Sequence, residues 1–285
     1  MLLLLSACAT QRVQSLNRED VNHIALSVEM CAAAIVVHDA ALGTQGGLRR
    51  RVARKLLGKV KMLAGNQLLL RAMNLMTQVS GSEHLQELIS VFEDVVGAQK
   101  AAQRWGSDIP DPETLLTHHS EHSTQLFSFV CRAGARIAGA EPQSTLALGR
   151  YGRCFGMAWV IAEDLFWWLD SQEKGVELLR AHANQKEPPY LLSLYDENTD
   201  IAQLWSRLCV SNEIDVAIEL YHKATQKREI HQVIQTVVEY CLKAQHAIQN
   251  LNPSPHRDAL IEMSKHLHQN LRQRNKQFWD DYGQL

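Results

Sequence analysis

Glu163 and Asp164 stand side by side in a strongly apolar run, Met157 to Leu169, flanked by Trp159, Trp167 and Trp168. Two carboxylates in such surroundings are costly unless a cation or a donor compensates them, so the pair reads either as a functional site or as part of a buried ion pair. The strongest basic run is Arg49-Arg50-Arg51, joined by Arg54, Lys55, Lys59 and Lys61. Guanidinium forks match phosphate oxygens, so the run suits phosphate binding. Taken alone it fits better as a solvated helix start after Gly46-Gly47. His118, His119 and His122 gather near the start of a helix, with His118 and His122 one turn apart as in helical zinc pairs. No carboxylate or cysteine nearby in the chain completes a set, so an exposed polar helix end is expected there.

Helices must position these groups, because alternating strand patterns are hard to find anywhere in the chain. From Val21 to Leu42, apolar residues recur at Val21, Ile24, Ala25, Val28, Cys31, Ala32, Ile35 and Val36, which makes one helical face. Further helices are predicted over Leu56 to Met76, Glu83 to Arg104, His119 to Gly139, Gln143 to Leu169 and Glu229 to Asn250. Shorter ones begin near Asp200 and Glu213, and the last opens at Ser254 or Pro255 after Asn252-Pro253. Trp105 to Pro112 is a loop, Asp111-Pro112-Glu113 looks like a helix start, and Gln185-Lys186-Glu187-Pro188-Pro189 breaks the pattern. The prediction is one all-α domain over 1–285, about ten helices around a central cavity, without internal repeats.

With 285 residues, 46% of them hydrophobic, the chain can bury a substantial core. Its 29 basic and 31 acidic residues argue against a nucleic-acid footprint. Six cysteines, scattered without a C-x-x-C pair, fit neither a zinc knuckle nor a disulfide framework, and a reducing compartment is expected. The start, Met-Leu-Leu-Leu-Leu-Ser-Ala-Cys, imitates a bacterial lipoprotein cleavage site. No basic residue precedes Arg12 and the apolar run is only Leu2 to Leu5, so it is read as the apolar end of a first helix. No other apolar run approaches the roughly 18 residues of a membrane span, and none is expected.

In order and spacing, several segments resemble the landmarks of the trans-polyprenyl diphosphate synthases, which have the isoprenoid synthase fold. Glu29 to Asp39 is similar to the helix ending in H-D-D-x-x-D, and Leu63-Ala64-Gly65-Asn66-Gln67-Leu68-Leu69 to L-A-G-D-x-L-L. Ser123-Thr124-Gln125-Leu126-Phe127 falls where the family has K-T-x-x-L-F, and Cys131 to Gly134 continues that helix. Tyr151-Gly152-Arg153 and Gly156-Met157-Ala158-Trp159 resemble Y-G-x-x-x-G-x-A-F. Glu163-Asp164 then falls on the second aspartate-rich motif, and Arg257 to Leu260 on the terminal helix.

The resemblance implies facing aspartates that hold Mg²⁺ ions, which grip an allylic diphosphate as its C–O bond ionises. Here the first motif reads Asp39-Ala40-Ala41-Leu42-Gly43 and the second Glu163-Asp164-Leu165-Phe166-Trp167. Only Asp39, Glu163 and Asp164 remain as metal ligands, enough for one weakly held cation. Ala40, Gly43 and Trp167 replace carboxylates, Val160 a glutamine, Asn66 an aspartate, and His122 with Ser123 the lysine-threonine pair that contacts diphosphate. Arg49, Arg50 and Arg51 fall where the family's diphosphate-binding arginines lie, and Lys186 where a downstream lysine does.

The expected role is therefore a non-catalytic subunit of a heteromeric synthase, partnered by a catalytic paralogue or by a second copy. Dimerisation is expected near the first motif, where Ala32-Ala33-Ala34 permits close helix approach or simply packs a core. The alternatives are a divergent Mg²⁺-dependent prenyltransferase or terpene-synthase-like enzyme, and a protein that binds a prenyl diphosphate without reacting it. No other cofactor and no nucleic acid are expected. The expected location is the cytoplasm, with mitochondria as the alternative if residues precede Met1.

Overall fold

The computed structural model describes residues 1–10, 17–42, 48–195 and 200–282, with backbone alone at 42, 48–57 and 281–282. Among the described residues there are twelve α-helices and no strand, the all-α class expected. They are α1 (Leu2–Cys8), α2 (Arg18–Leu42), α3 (Leu48–Met76), α4 (Glu83–Ala102), α5 (Pro112–His122) and α6 (Gln125–Ile137). Then come α7 (Pro142–Asp170), α8 (Gln172–Gln185), a 3-10 turn (Tyr190–Leu194), α9 (Asp200–Ser211), α10 (Ile214–Ala224), α11 (Lys227–Ala247) and α12 (Pro255–Tyr282).

Two helices exceed the expected ten or so. The predicted helix over 119–139 is in fact α5 and α6, parted at Ser123-Thr124. There the Thr124 hydroxyl donates to the Ser120 carbonyl at 3.0 Å, a side-chain bond that competes with the helical ladder. The stretch before Gln185 forms α8, capped by the Ser171 hydroxyl, which accepts from the Lys174 N–H at 3.2 Å. Asp111 caps α5 as its sequence suggests: its carboxylate accepts from the N–H groups of Glu113 and Thr114, and Pro112 fills the first turn.

Long α7 is the axis of the fold, flanked by α6, α8, α11 and α12. Its inner face carries Leu148, Tyr151, Phe155, Ile161, Leu165 and Trp168 into the larger core. The Tyr151 hydroxyl donates to the Leu260 carbonyl at 2.7 Å, which ties α7 to α12. A second core joins α2, α3, α4 and α6 through Ile24, Cys31, Met76, Leu88, Phe92 and Phe129. There the Ser27 hydroxyl donates to the Ala72 carbonyl at 3.0 Å. The six cysteines are unpaired, four of them buried.

Helix α2 runs against α3 but hides little of itself: Leu26 and Val36 are exposed, as are Val60, Leu63 and Leu70 of α3. By length and composition, α2 over Arg18–Ala41 passes the test for a membrane-spanning helix, which run length alone did not suggest. It also packs on α6 and α8, as a helix of the bundle.

Glycines set the closest helix contacts. A Cβ on Gly134 of α6 would land on the Leu3 carbonyl of α1, and one on Gly152 of α7 on the Phe127 carbonyl and, at 2.9 Å, on the Cys131 sulfur. Alanine in a helix gains about 1 kcal/mol over glycine, whereas overpacking against a backbone that cannot rotate away costs about 1–3 kcal/mol. Gly152→Ala is therefore expected to lower the urea midpoint of unfolding. Gly97→Ala on α4, where nothing lies within 4 Å, is expected to raise it.

Candidate functional site

Five helices converge where the C-terminal end of α2 meets the ends of α4, α5 and α8 and the C-terminal third of α7. A cleft of about 180 Å³ opens there, lined by Asp39, Gln99, Gln103, Asn184, Lys186 and Glu187. Asp39 accepts a hydrogen bond from the Gln99 amide and faces His122, with Nε2 3.7 Å from its Oδ1. Burial, and then the charge of Glu187, push Asp39 up to about 7 against the relief given by Gln99 and His118.

Behind the cleft lie the three histidines of α5. They are not an exposed helix end: His118, His119 and His122 sit at the C-terminal end of α5 and are 5%, 9% and 5% exposed. The rings of His118 and His122 stack with centroids 5.1 Å apart and planes 11° from parallel. His118 Nε2 stands 3.7 Å from Glu187 Oε1. Burial would raise the Glu187 pKa, but the hydrogen bond and charge of His118 hold it below its ordinary value. His119 is driven down to about 4 by burial and by the charge of His118, so it is neutral over the physiological range. Burial likewise lowers His122.

On α7 the two adjacent carboxylates part company. Asp164 turns toward α8 and meets His182 Nε2 at 3.3 Å, while His182 Nδ1 donates to the Glu187 carbonyl at 2.7 Å. Burial alone would lower His182, but Asp164 and these bonds raise it to about 9. The pair is an ion pair at neutral pH. Glu163 lies on the exposed side of the helix, where burial of part of its side chain and the charge of Asp164 raise its pKa and Trp159 donates to it. Trp167, on the same side, is exposed with the Lys174 ammonium 5.9 Å above its ring. Val160 is half-buried on this helix.

Lys186 caps α8 in the left-handed conformation, with φ of 62°. That turn, costly for a residue with a side chain, swings Glu187 back onto His118 and leaves Lys186 at the rim of the cleft. Of the remaining positions singled out by sequence, Ala40 and Asn66 are exposed, and Ser123 pairs with His122 Nδ1 at 3.4 Å. Arg49, Arg50 and Arg51 begin α3, but their side chains lie outside the described residues, as does Gly43 altogether.

The structure thus brings Asp39 and Lys186 to one cleft, with His122 and Asp164 behind it, and does not bring Glu163. The sequence reading missed Gln99, His182 and Glu187, which have no motif of their own. Only the position of His182-x-x-x-Lys186-Glu187 before Pro188-Pro189 marks them.

Magnesium demands oxygen ligands in near-octahedral array and is rarely bound without free carboxylates. Here Asp39 is hydrogen bonded to Gln99, Asp164 is paired with His182 and Glu163 looks outward. The donors that face the cluster include imidazoles. The site does not fit a set of Mg²⁺ ions gripping a diphosphate.

Residues 1–175 match the model of the polyprenyl synthetase family. The chain is similar to the all trans-polyprenyl-diphosphate synthase PDSS1 of Homo sapiens, 24% identical over 250 residues, 85% of this chain and 59% of that protein. It is similar also to heptaprenyl diphosphate synthase component 2 of Geobacillus stearothermophilus, 24% identical over 208 residues, 70% of this chain and 62% of that one. It spans about three fifths of the length of these relatives. Among solved structures, a geranylgeranyl pyrophosphate synthase of Lactobacillus brevis superposes with a TM-score of 0.75 at 16% identity, covering 94% of this chain and 84% of that one. A polyprenyl synthase of Caulobacter crescentus gives 0.73 at 21%, covering 94% and 83%. Identities this low carry the fold and not the activity. With its fold and more than half of its length matched, the chain belongs to the polyprenyl synthetase family.

Proposed function

We propose that the chain is a non-catalytic subunit of a heteromeric polyprenyl diphosphate synthase, supporting a partner that condenses isopentenyl diphosphate with an allylic diphosphate. One observation carries this reading: the carboxylates at the family's metal positions are either engaged by neighbouring side chains, as Asp39 is by Gln99 and Asp164 by His182, or turned outward, as Glu163 is. Without metals to neutralise the leaving diphosphate, many kcal/mol of transition-state stabilisation are lost, and Lys186 at the rim of the cleft does not replace them.

The exposed apolar residues of α2 and α3 support the partner half of the proposal. Val36 is 66%, Leu63 69% and Leu70 67% exposed, on two helices that pack on each other and leave an apolar surface open. One of the similar proteins is itself named as a synthase component.

The test is pyrophosphate release by the pure chain with farnesyl and isopentenyl diphosphates and Mg²⁺, alone and mixed with a paralogue that keeps both D-D-x-x-D motifs. Expected is no turnover alone, co-purification with the paralogue, and a rise in activity or a change of product length in the mixture. Turnover alone that vanishes in Asp39→Ala would establish the enzyme reading instead. Stabilisation by a prenyl diphosphate, without pyrophosphate release or a partner, would establish the binding one.

A further inference from the structure

We propose that the outward face of α3 docks a helix of a partner polypeptide whose matching seam is apolar and flanked by acidic residues, and that the positive charge of α3 keeps two copies of this chain from pairing through it. The inference rests on the subunit reading and deepens it, giving the partner's chemistry and setting a second copy aside.

Helix α3 packs on α2 and lightly on α4, and its far side is open. Gly65 and Ala72 turn toward α2, where a Cβ on Gly65 would meet the His38 ring and the Ala72 carbonyl accepts from the Ser27 hydroxyl. On the opposite side Val60, Leu63, Gln67, Leu70 and Asn74 are all exposed. Their 3-4-3-4 spacing makes one seam about 21 Å long. Leucine recurs at every second position of the seam, with a valine and two amides between, which is the composition of two helices wound side by side.

Charge decides what kind of helix fits. From Ala40 to Ser82 the sequence has eight basic residues, seven between Arg49 and Lys61 and then Arg71, and no acidic one. All eight lie on α3. The whole chain has 29 basic and 31 acidic residues, so this helix concentrates positive charge that the rest of the chain more than offsets. Lys59 and Arg71 flank the seam, at the positions through which paired helices select partners by charge. Both are exposed, and among the described residues neither is in an ion pair.

Two copies of α3 laid together would set one basic run against another with no carboxylate between them, and like charge across an interface selects against that pairing. A partner helix with acidic flanks meets the same run favourably. An anionic bilayer would also answer the charge, but it would press Gln67 and Asn74 toward hydrocarbon with no partner for their amides. Across a helix pair such amides bond one another and fix the register.

The full chain and the paralogue that keeps both D-D-x-x-D motifs are purified separately and mixed. A hetero-complex is expected, with an affinity that falls about 10-fold or more from low to high salt. Lys59→Glu with Arg71→Glu is expected to slow association about 10-fold or more, and Leu63→Asp to weaken the complex about 30-fold or more. These sites are exposed, so the variants are expected to fold, which circular dichroism checks. Arg228→Glu, exposed on α11, is expected to leave binding unchanged. Sedimentation of the chain alone is expected to give an oligomeric state that Leu63→Asp does not alter. A complex indifferent to both the charge reversal and Leu63→Asp overturns this inference and leaves the subunit reading standing, whereas no complex at all overturns both. A homodimer of the pure chain that Leu63→Asp breaks, or binding to phosphatidylserine vesicles in place of the paralogue, overturns it as well.

Discussion

Trp168→Ala is expected to destabilise the chain by about 4–5 kcal/mol, read as a fall in the urea midpoint with an unchanged slope. Trp168 is 1% exposed. It stacks on Tyr221 of α10 with centroids 5.0 Å apart, its indole N–H donates to the Thr225 hydroxyl at 3.0 Å, and its carbonyl accepts from the Tyr221 hydroxyl at 3.1 Å. Removing the indole costs its transfer free energy and leaves a cavity, and the stacked pair adds about 0.5–1.5 kcal/mol beyond burial. Thr225 is not orphaned, since its hydroxyl also donates to the Tyr221 carbonyl at 2.6 Å, so no large polar penalty is added. Trp168→Phe keeps a ring in place and is expected to lose less than half as much. Equal losses from both variants would mean that the polar bonds, and not the packed volume, hold this end of α7.

The second large effect is Asp164→Ala, expected to cost about 3 kcal/mol below about pH 6.5, less at neutral pH and almost nothing at high pH. Asp164 and His182 are 19% and 21% exposed, so solvent screens the pair only in part. In the folded chain His182 is raised from an ordinary 6.5 to about 9. Below about pH 6.5 both folded and unfolded states hold the proton, and the full benefit of the pair is present. Between 6.5 and 9 the unfolded state gives up its proton while the folded state keeps it, so the benefit shrinks steadily. Above 9 it is gone. A rise of about two and a half pKa steps corresponds to roughly 3 kcal/mol. Urea unfolding of wild type and variant across this range should give curves that converge as pH rises. A gap that does not change with pH would mean that the pair contributes through shape and not charge.

These two side chains also explain how much of the site could be read in advance. Neighbours on a helix point about 100° apart, so the roll of α7 decides whether Glu163 with Trp167 or Asp164 with Trp168 turns further inward. The sequence presents all four as equals in an apolar run, and the seating of Trp168 against Tyr221 and Thr225 decides for Asp164. The helices themselves were legible because their signals are local: the 3-4 spacing of α2, and the proline and aspartate that open α5. Burial of His118 and His122 was not, because their carboxylates come from Glu187 and Asp39, on elements remote in the chain. Local spacing carries no trace of such pairs. The family landmarks were legible for a different reason, since most of them are packing positions.

That last point has a consequence for what likeness to this family measures. Gly134 and Gly152 have helix backbone where a methyl group would stand, so folding by itself forbids most changes there. Ala40, Asn66 and Trp167 face outward and are under no such restraint. Packing alone holds glycine at those two positions, whereas nothing in the packing fixes the residues that face outward. Kinship read from such letters dates a shared architecture and is silent on whether the reaction survived.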